Sequence, residues 1–385
     1  MTVHDNMKSG KIKSLFTNLF LMFVAVMIML MFIEIIIRIF YPQNLNYTEF
    51  DNILMYKHIP DSKVTYSRQE FSNEIKFNSN GLRDYEYDYK KPKNVYRILL
   101  LGSSFSQALQ VPLEHTYENV LERKLNGNLA GKYEVINTAV GGWGTAQELF
   151  YLKTEGIRYE PDLILLDFSM RDVRENAINS LVTVTNGKLV EHIPIRASWP
   201  KRAMLFCSRY SHLCSLTQTV ILGDAEKKGF ISSLLSKLRI TSSADDRSIK
   251  TTDLFSKNNT PNVDAAFEET FLLIKEIKKV ADENKIALVM FIIPHREQVD
   301  ALKWNEFINR YNANEKQFEY DKVQKLALKF AKQNNIQVFD MLPYFRQKNA
   351  NNTFYYEIDG HWNEQGHEMT AGLLYNYLLS NKLVK

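Results

Sequence analysis

The run from Ser14 to Ile33 is twenty residues without a charge. As a helix it spans about 30 Å, the thickness of a bilayer's hydrocarbon core, and inside lipid a lone segment satisfies its backbone polar groups only as a helix. The chain is therefore expected to open with a membrane-spanning helix. A cleavable leader would have a shorter apolar region followed by an Ala-x-Ala-like site. Here Glu34 and Arg38 follow instead, spaced i, i+4 so that the helix continues as it leaves the lipid. Lys8, Lys11 and Lys13 precede the span and Arg38 alone stands just after it, which favours a cytoplasmic N-terminus. Everything from about Tyr41 is then expected outside the cytoplasm, periplasmic or extracellular, with the span acting as a signal-anchor.

Beyond the span the chain has ample material for a core, at 45% hydrophobic and 12% aromatic residues over 385 positions. Residues 1–40 read as a cytoplasmic tail and transmembrane helix, 41–94 as a linker with one or two short lead-in strands, and 95–385 as the main domain. In that domain apolar strands alternate with helices. The strands are expected at about Tyr96–Leu101, Glu134–Ala139, Leu163–Phe168, Ala287–Ile293 and Gln337–Met341. The helices are expected at about Glu114–Leu125, Ala146–Glu155, Ala265–Asn284, Phe318–Asn334 and Gln365–Leu379. Continuous apolar strands alternating with helices imply an α/β three-layer sandwich with a parallel sheet covered on both faces. Five strands suggest the order 2-1-3-4-5, which brings the turns after the first three strands to one crevice.

An insertion at about 178–262 interrupts the alternation. Ser180 to Val190 reads as a hairpin around Asn186-Gly187, Arg202 to Leu238 as helix, and Thr241 to Thr260, rich in Ser, Thr, Asp and Asn, as a loop. The insertion is placed either above the carboxyl edge of the sheet as a lid or at the side as a helical decoration. Cys207 and Cys214 are the only cysteines, too few for a zinc set. On one continuous helix they would be about 10 Å apart along the axis, too far for a disulfide; without it they can bridge. The net charge of +4 is spread among interspersed Lys, Arg, Asp and Glu, with no basic run, so no nucleic-acid partner is expected. No Gly-x-Gly-x-x-Gly or Gly-Lys-Ser/Thr follows a strand, so no nucleotide and no other cofactor is expected.

The first main-domain strand, Arg97-Ile98-Leu99-Leu100-Leu101, stops at Gly102-Ser103-Ser104-Phe105 and gives way to helical spacing. A hydroxyl on such a strand-to-helix turn is well placed to be a nucleophile, although an isolated Gly-Ser-Ser would serve as a helix cap. Near the C-terminus Asp359-Gly360-His361 precedes the last helix. A carboxylate two residues from a histidine can orient the imidazole and stabilise its protonated form, as a serine nucleophile requires of its base. His367 reads as a surface residue of the following helix, and His295, after the fourth strand, as a weaker candidate for substrate contact.

In this order the blocks resemble the SGNH (GDSL-type) hydrolase superfamily, over about residues 70 to 380. Gly102-Ser103-Ser104-Phe105 matches its first block, with Ser104 as nucleophile and Ser103 where the family usually has aspartate. Val135-Ile136-Asn137-Thr138-Ala139-Val140-Gly141-Gly142-Trp143-Gly144-Thr145 is similar to the second, which implies Gly142 as an oxyanion donor beside Ser104. Met170-Arg171-Asp172-Val173-Arg174-Glu175-Asn176 stands at the third, with Arg171 in place of the family's asparagine. Asp359 and His361 match the last block, in an Asp-x-His spacing similar to that of the alginate O-acetyltransferase branch. Asn78-Ser79-Asn80-Gly81-Leu82-Arg83-Asp84 resembles the lead-in of membrane-tethered members.

The resemblance implies a flavodoxin-like sandwich and a serine esterase or O-acyltransferase. Its partners would be an acylated small molecule or glycan, probed through ester chemistry, and the membrane. The alternative is a decayed site that binds a glycan or a partner enzyme, because Arg is longer than Asn and charged, and either donates to an oxyanion from farther out or fills its place. Asp172 beside it is a candidate ion-pair partner for Arg171 or Arg174.

Overall fold

The computed structural model describes residues 3–222, 249–311, 314–348 and 354–385. The chain divides into two compact units, one of Met1–Asn46 with Ser198–Ser242 and one of Tyr47–Ala197 with Ser243–Lys385.

In the first unit, helix α1 (Val3–Phe40) contains a 28-residue stretch, Lys13–Phe40, that is long and apolar enough to cross a membrane. Arg38 Nη2 donates to Glu34 Oε1 at 3.1 Å, the i, i+4 pair expected at its exit.

The second unit begins with strands β1 (Thr48–Asp51) and β2 (Met55–His58), then β3 (Lys63–Ser67) and β4 (Ser72–Lys76), each pair an antiparallel hairpin. Four strands thus form where one or two were expected. The first hairpin has little apolar alternation to reveal it. Its turn is made by Asp51, whose Oδ1 accepts from the N–H groups of Ile53 and Leu54 at 2.8 and 2.9 Å.

The main sheet is β5 (Val95–Leu101), β6 (Lys132–Asn137), β7 (Leu163–Phe168), β10 (Ala287–Ile292) and β11 (Gln337–Asp340), all parallel. Its spatial order β11-β10-β7-β5-β6 is the expected 2-1-3-4-5. Strands β8 (Val182–Thr185) and β9 (Lys188–Glu191) form the expected hairpin, with Asn186 and Gly187 both at positive φ as a tight hairpin turn demands.

The helices after α1 are α2 (Ser104–Gln107), α3 (Tyr117–Asn128), α4 (Thr145–Thr154), α5 (Met170–Asn179), α6 (Trp199–Ser208), α7 (His212–Leu222), α8 (Thr251–Phe255) and α9 (Pro261–Glu283). They are followed by α10 (Arg296–Val299), α11 (Ala301–Arg310), α12 (Lys322–Gln333), α13 (Leu342–Lys348) and α14 (Glu364–Ser380).

Side chains alternate across each strand, so Leu99 and Leu101 face one layer while Ile98 and Leu100 face the other. The first layer packs α4, α5, α9 and α12 through Leu149, Val173, Ile274 and Ala327. The second packs α3 and α14 through Leu121, Leu125, Leu374 and Leu378. Burial on both faces is why these strands read as unbroken apolar runs.

Two expectations for the insertion are corrected. The helix from Arg202 breaks at Arg209–Ser211 into α6 and α7, and the break brings the Cys207 and Cys214 Cα atoms to 5.7 Å, where the two are disulfide-bonded. In the polar tract, Thr251–Phe255 is helical because Leu254 and Phe255 are fully buried. Residues 223–248, with the rest of both expectations, lie outside the described residues.

Candidate active site

Strand β5 delivers its C-terminal end to the edge where α2 begins, and Gly102 is needed at the junction. A Cβ there would collide with Oδ2 of Asp167, the buried carboxylate of neighbouring β7, which also accepts the Ser103 N–H at 3.2 Å and the Ser106 hydroxyl. Asp167 thus braces the turn from an adjacent strand. Ser104 follows as the first residue of α2, half-buried.

Asp359 and His361 arrive from the loop before α14. Gly360 between them has φ +80°, a left-handed turn that glycine adopts without steric cost. This turn lets residues two apart interact. His361 Nδ1 lies 2.6 Å from Asp359 Oδ1, and His361 Nε2 lies 2.8 Å from Ser104 Oγ. An ionised Asp359 accepts the Nδ1–H, which leaves Nε2 to accept the Ser104 hydroxyl proton. Burial pushes the Asp359 carboxyl up, but hydrogen bonds and charge from His361, with help from Gln110, outweigh it and hold the carboxyl below its usual value. The Phe105 ring packs 4.7 Å from His361, centroid to centroid, and Trp362 behind it is fully buried.

The turn at Gly141–Gly142 abuts Ser104. A Cβ on Gly141 would stand 3.7 Å from Ser104 Cβ, and Gly142 has φ +81°. Tyr56 Oη donates to the Gly141 carbonyl at 3.1 Å and Asn179 Nδ2 to the Gly142 carbonyl at 3.2 Å. Both carbonyls are therefore turned toward other partners.

Arg171 is the second residue of α5, just past the end of β7, with its backbone N–H on Ser169 Oγ at 3.1 Å and its Nε buried without a hydrogen-bond partner. Asp172 pairs with neither Arg171 nor Arg174; its carboxylate accepts from Ser169 N at 2.7 Å in a capping box that starts the helix. His295 is buried, its Nε2 is unpartnered, and its pKa is held well below the ordinary value by burial, then by the charges of Arg171 and His361.

His367 is corrected from surface to interior. It is 1% exposed, its Nδ1 accepts the Tyr117 N–H at 3.2 Å, and burial takes its pKa down to about 3. The packing of α14 on α3, which is invisible in the local sequence, buries it.

Three supports of the site escaped the sequence. Glu70, in the β3–β4 hairpin, accepts the N–H groups of Glu357, Ile358 and Asp359 at 2.7, 2.9 and 2.8 Å. Gln110 Nε2 donates to Asp359 Oδ1 at 3.1 Å. Arg83, wholly buried, donates to the carbonyls of Gln107, Ala108 and Val111, while Asp84 Oδ2 accepts the Asn137 N–H at 2.7 Å. The lead-in motif thus ties α2, which carries Ser104, to β6. Only for Arg83 and Asp84 was there a signal, the motif itself.

Among the described residues, the one group whose ligand atoms all lie close enough for a metal ion is Glu148, Asp167 and Asp172, within 4.8 Å of one another. Burial raises the pKa of each, and the mutual repulsion of the carboxylates adds to it for Glu148 and Asp172.

Residues 250–382 match the family model described as the SGNH hydrolase-like domain of the acetyltransferase AlgX. That match includes Asp359 and His361 and stops short of Ser104. No curated protein matches the chain. Among solved structures, the acetyl xylan esterase AlAXEase is 12% identical, with TM-score 0.41, covering 73% of this chain and 99% of its own. The lipase/acylhydrolase from Enterococcus faecalis is 12% identical, with TM-score 0.40, covering 75% of this chain and 97% of its own. The esterase EstA from Pseudoalteromonas sp. is 10% identical, with TM-score 0.39, covering 74% and 97%.

Proposed function

The chain belongs to the SGNH hydrolase superfamily, and from that premise we propose that it is a membrane-anchored serine esterase or acyltransferase acting on ester groups, O-acetyl above all, of an envelope or surface glycan. The single observation that carries this is the continuous hydrogen-bonded chain from Ser104 Oγ through His361 to Asp359.

In the proposed reaction Ser104 Oγ attacks the ester carbonyl as His361 Nε2 takes its proton, and Asp359 stabilises the imidazolium that forms. The backbone N–H groups of Ser104 and Gly142, with the Arg171 guanidinium, stabilise the oxyanion. Collapse of the tetrahedral intermediate breaks the bond to the alkoxy leaving group, which receives the proton from Nε2. The acyl group is now on Ser104. Water or a sugar hydroxyl, deprotonated by His361, then attacks the acyl-enzyme and regenerates the serine. In this reading α1 anchors the domain, with residues beyond Tyr41 outside the cytoplasm and facing the glycan. The acetyltransferase description of the matched family supports the acyl-transfer chemistry.

One observation favours the second reading, a site that binds without turning over: Arg171 stands where the family has asparagine. A fluorophosphonate ester separates the two. Covalent labelling of the wild-type chain, lost in Ser104→Ala and His361→Ala, supports the enzyme, and acetyl release from a panel of acetylated sugars then names the substrate. Absence of labelling in a correctly folded wild-type chain would refute the serine mechanism.

A further inference from the structure

The unit formed by Met1–Asn46 and Ser198–Ser242 has features that acyl transfer does not use. From Ser198 to Gly223 the chain has no acidic residue, while Lys201, Arg202 and Arg209 are basic. On α6 and just past its end, Trp199, Phe206 and Tyr210 are spaced seven and four residues apart and so share one side. They are 79%, 66% and 56% exposed, and the Phe206 and Tyr210 rings lie 5.3 Å apart. Three large aromatic groups grouped on one face are a poor surface to present to water.

The opposite side is fastened down. The Cys207–Cys214 disulfide closes the turn between α6 and α7. Glu34, near the outer end of α1, accepts from Ser211 Oγ at 2.8 Å and from the N–H groups of His212 and Leu213 at 3.0 and 2.8 Å, capping the start of α7. Arg38 Nη2 reaches the Tyr210 carbonyl at 3.2 Å, Ser215 Oγ donates to the Asn44 carbonyl at 2.6 Å, and Asn46 N donates to the Ser208 carbonyl at 3.0 Å. The hairpin is therefore held against residues 34–46, where the uncharged span of α1 gives way to Glu34, Arg38 and the exposed Phe40 and Tyr41. That is the level of the headgroups if α1 spans the bilayer.

We propose that the α6–α7 hairpin is a second membrane-contact element, in which α6 lies in the headgroup–acyl boundary of an anionic leaflet with Trp199, Phe206 and Tyr210 inserted and the basic residues at the phosphates. The inference rests on the reading of α1 as an anchor. The occupant follows from continuity with that span, from the aromatic side chains suited to an interface, and from a purely basic charge over 198–223 that complements anionic lipid. The disulfide-closed, carboxylate-capped turn would keep α6 parallel to the surface, so that the anchor leaves the bilayer at a set rotation and not as a free tether.

The experiment uses Trp199 as its own reporter. The chain has four tryptophans, and Trp143, Trp304 and Trp362 are buried. The full chain and its Trp199→Phe variant are reconstituted in phosphatidylcholine–phosphatidylglycerol vesicles, and their fluorescence difference is quenched either by lipids brominated near the headgroup or by aqueous acrylamide. We expect the bromolipid to remove more than half of the difference signal and acrylamide to quench it several-fold less than free indole. Acrylamide quenching as efficient as for free indole would overturn the proposal, and so would protection from both quenchers, which means that protein, such as a second copy, covers the face. Alkaline extraction separates the two premises. If the chain is released from the vesicles, the anchor reading fails and takes this inference with it; if it is retained while Trp199 is water-accessible, this inference alone fails.

Discussion

Replacing Glu70 by glutamine tests whether the lead-in hairpin sets the triad. The wild-type carboxylate accepts three consecutive N–H groups, from Glu357, Ile358 and Asp359, on the loop that carries Asp359 and His361. A hydrogen bond to a charged acceptor contributes about 1.5–3 kcal/mol where desolvated, and less at this partly exposed position. Glutamine keeps one carbonyl oxygen, loses the charge, and turns an NH2 toward at least one N–H. The net loss of loop order is then about 1.5–3 kcal/mol, which at about 1.4 kcal/mol per factor of ten predicts a fall in kcat of about 10–100-fold. KM for a small acetyl ester should change much less, because Glu70 does not line the nucleophile. The assay is kcat and KM on one acetyl ester, paired with the proton NMR signal of the His361 Nδ1–H, which should broaden or disappear as its bond to Asp359 loosens. A purely structural hairpin contact would lower Tm and leave that signal in place. A kcat within twofold of wild type, with the Nδ1–H signal intact, would refute the reasoning.

Three other outcomes follow. If Arg171 donates to the oxyanion, Arg171→Ala should lower kcat by about 10²–10³ with little change in KM, whereas a rise in kcat for Arg171→Asn would mean that the guanidinium obstructs the site. Glu148 has both oxygens buried without a partner, and burial, then the charges of Asp172 and Asp167, raises its pKa well above 4.5. The folded state therefore binds a proton that the unfolded state has released, so stability declines as pH rises from about 4.5 toward the folded value. Glu148→Gln should remove that decline, raising Tm at pH 8 more than at pH 5; an equal shift at both would show that the carboxyl is already ionised in the fold. At the acid end the sign is opposite, because His58 and His367, both held down to about 3, lose their stabilising contribution as pH falls below 6.5.

The sheet order, the turn after β5 and the Asn186-Gly187 hairpin were legible in the chain because each depends on local periods and turn residues: unbroken apolar runs for buried strands, glycine where φ must be positive. The Asp-x-His spacing was equally local, since Gly360 lets neighbours two apart meet. What only the tertiary structure decided involves partners far apart in sequence. Glu70 reaches a loop nearly three hundred residues away, and no local pattern marks an exposed-looking glutamate as a clamp. His367 has the neighbours of a surface residue and becomes buried only when α14 lies on α3. Ser103 lacks the aspartate of its apparent family, yet a carboxylate still braces the turn, supplied through space by Asp167 from β7. Cys207 and Cys214 could bridge only if the helix broke between them, and it breaks where Glu34 caps the start of α7. Secondary structure follows from interactions within a few residues, but the burial and pairing of a polar group depend on which surfaces the fold brings together, and that is settled only when the layers pack.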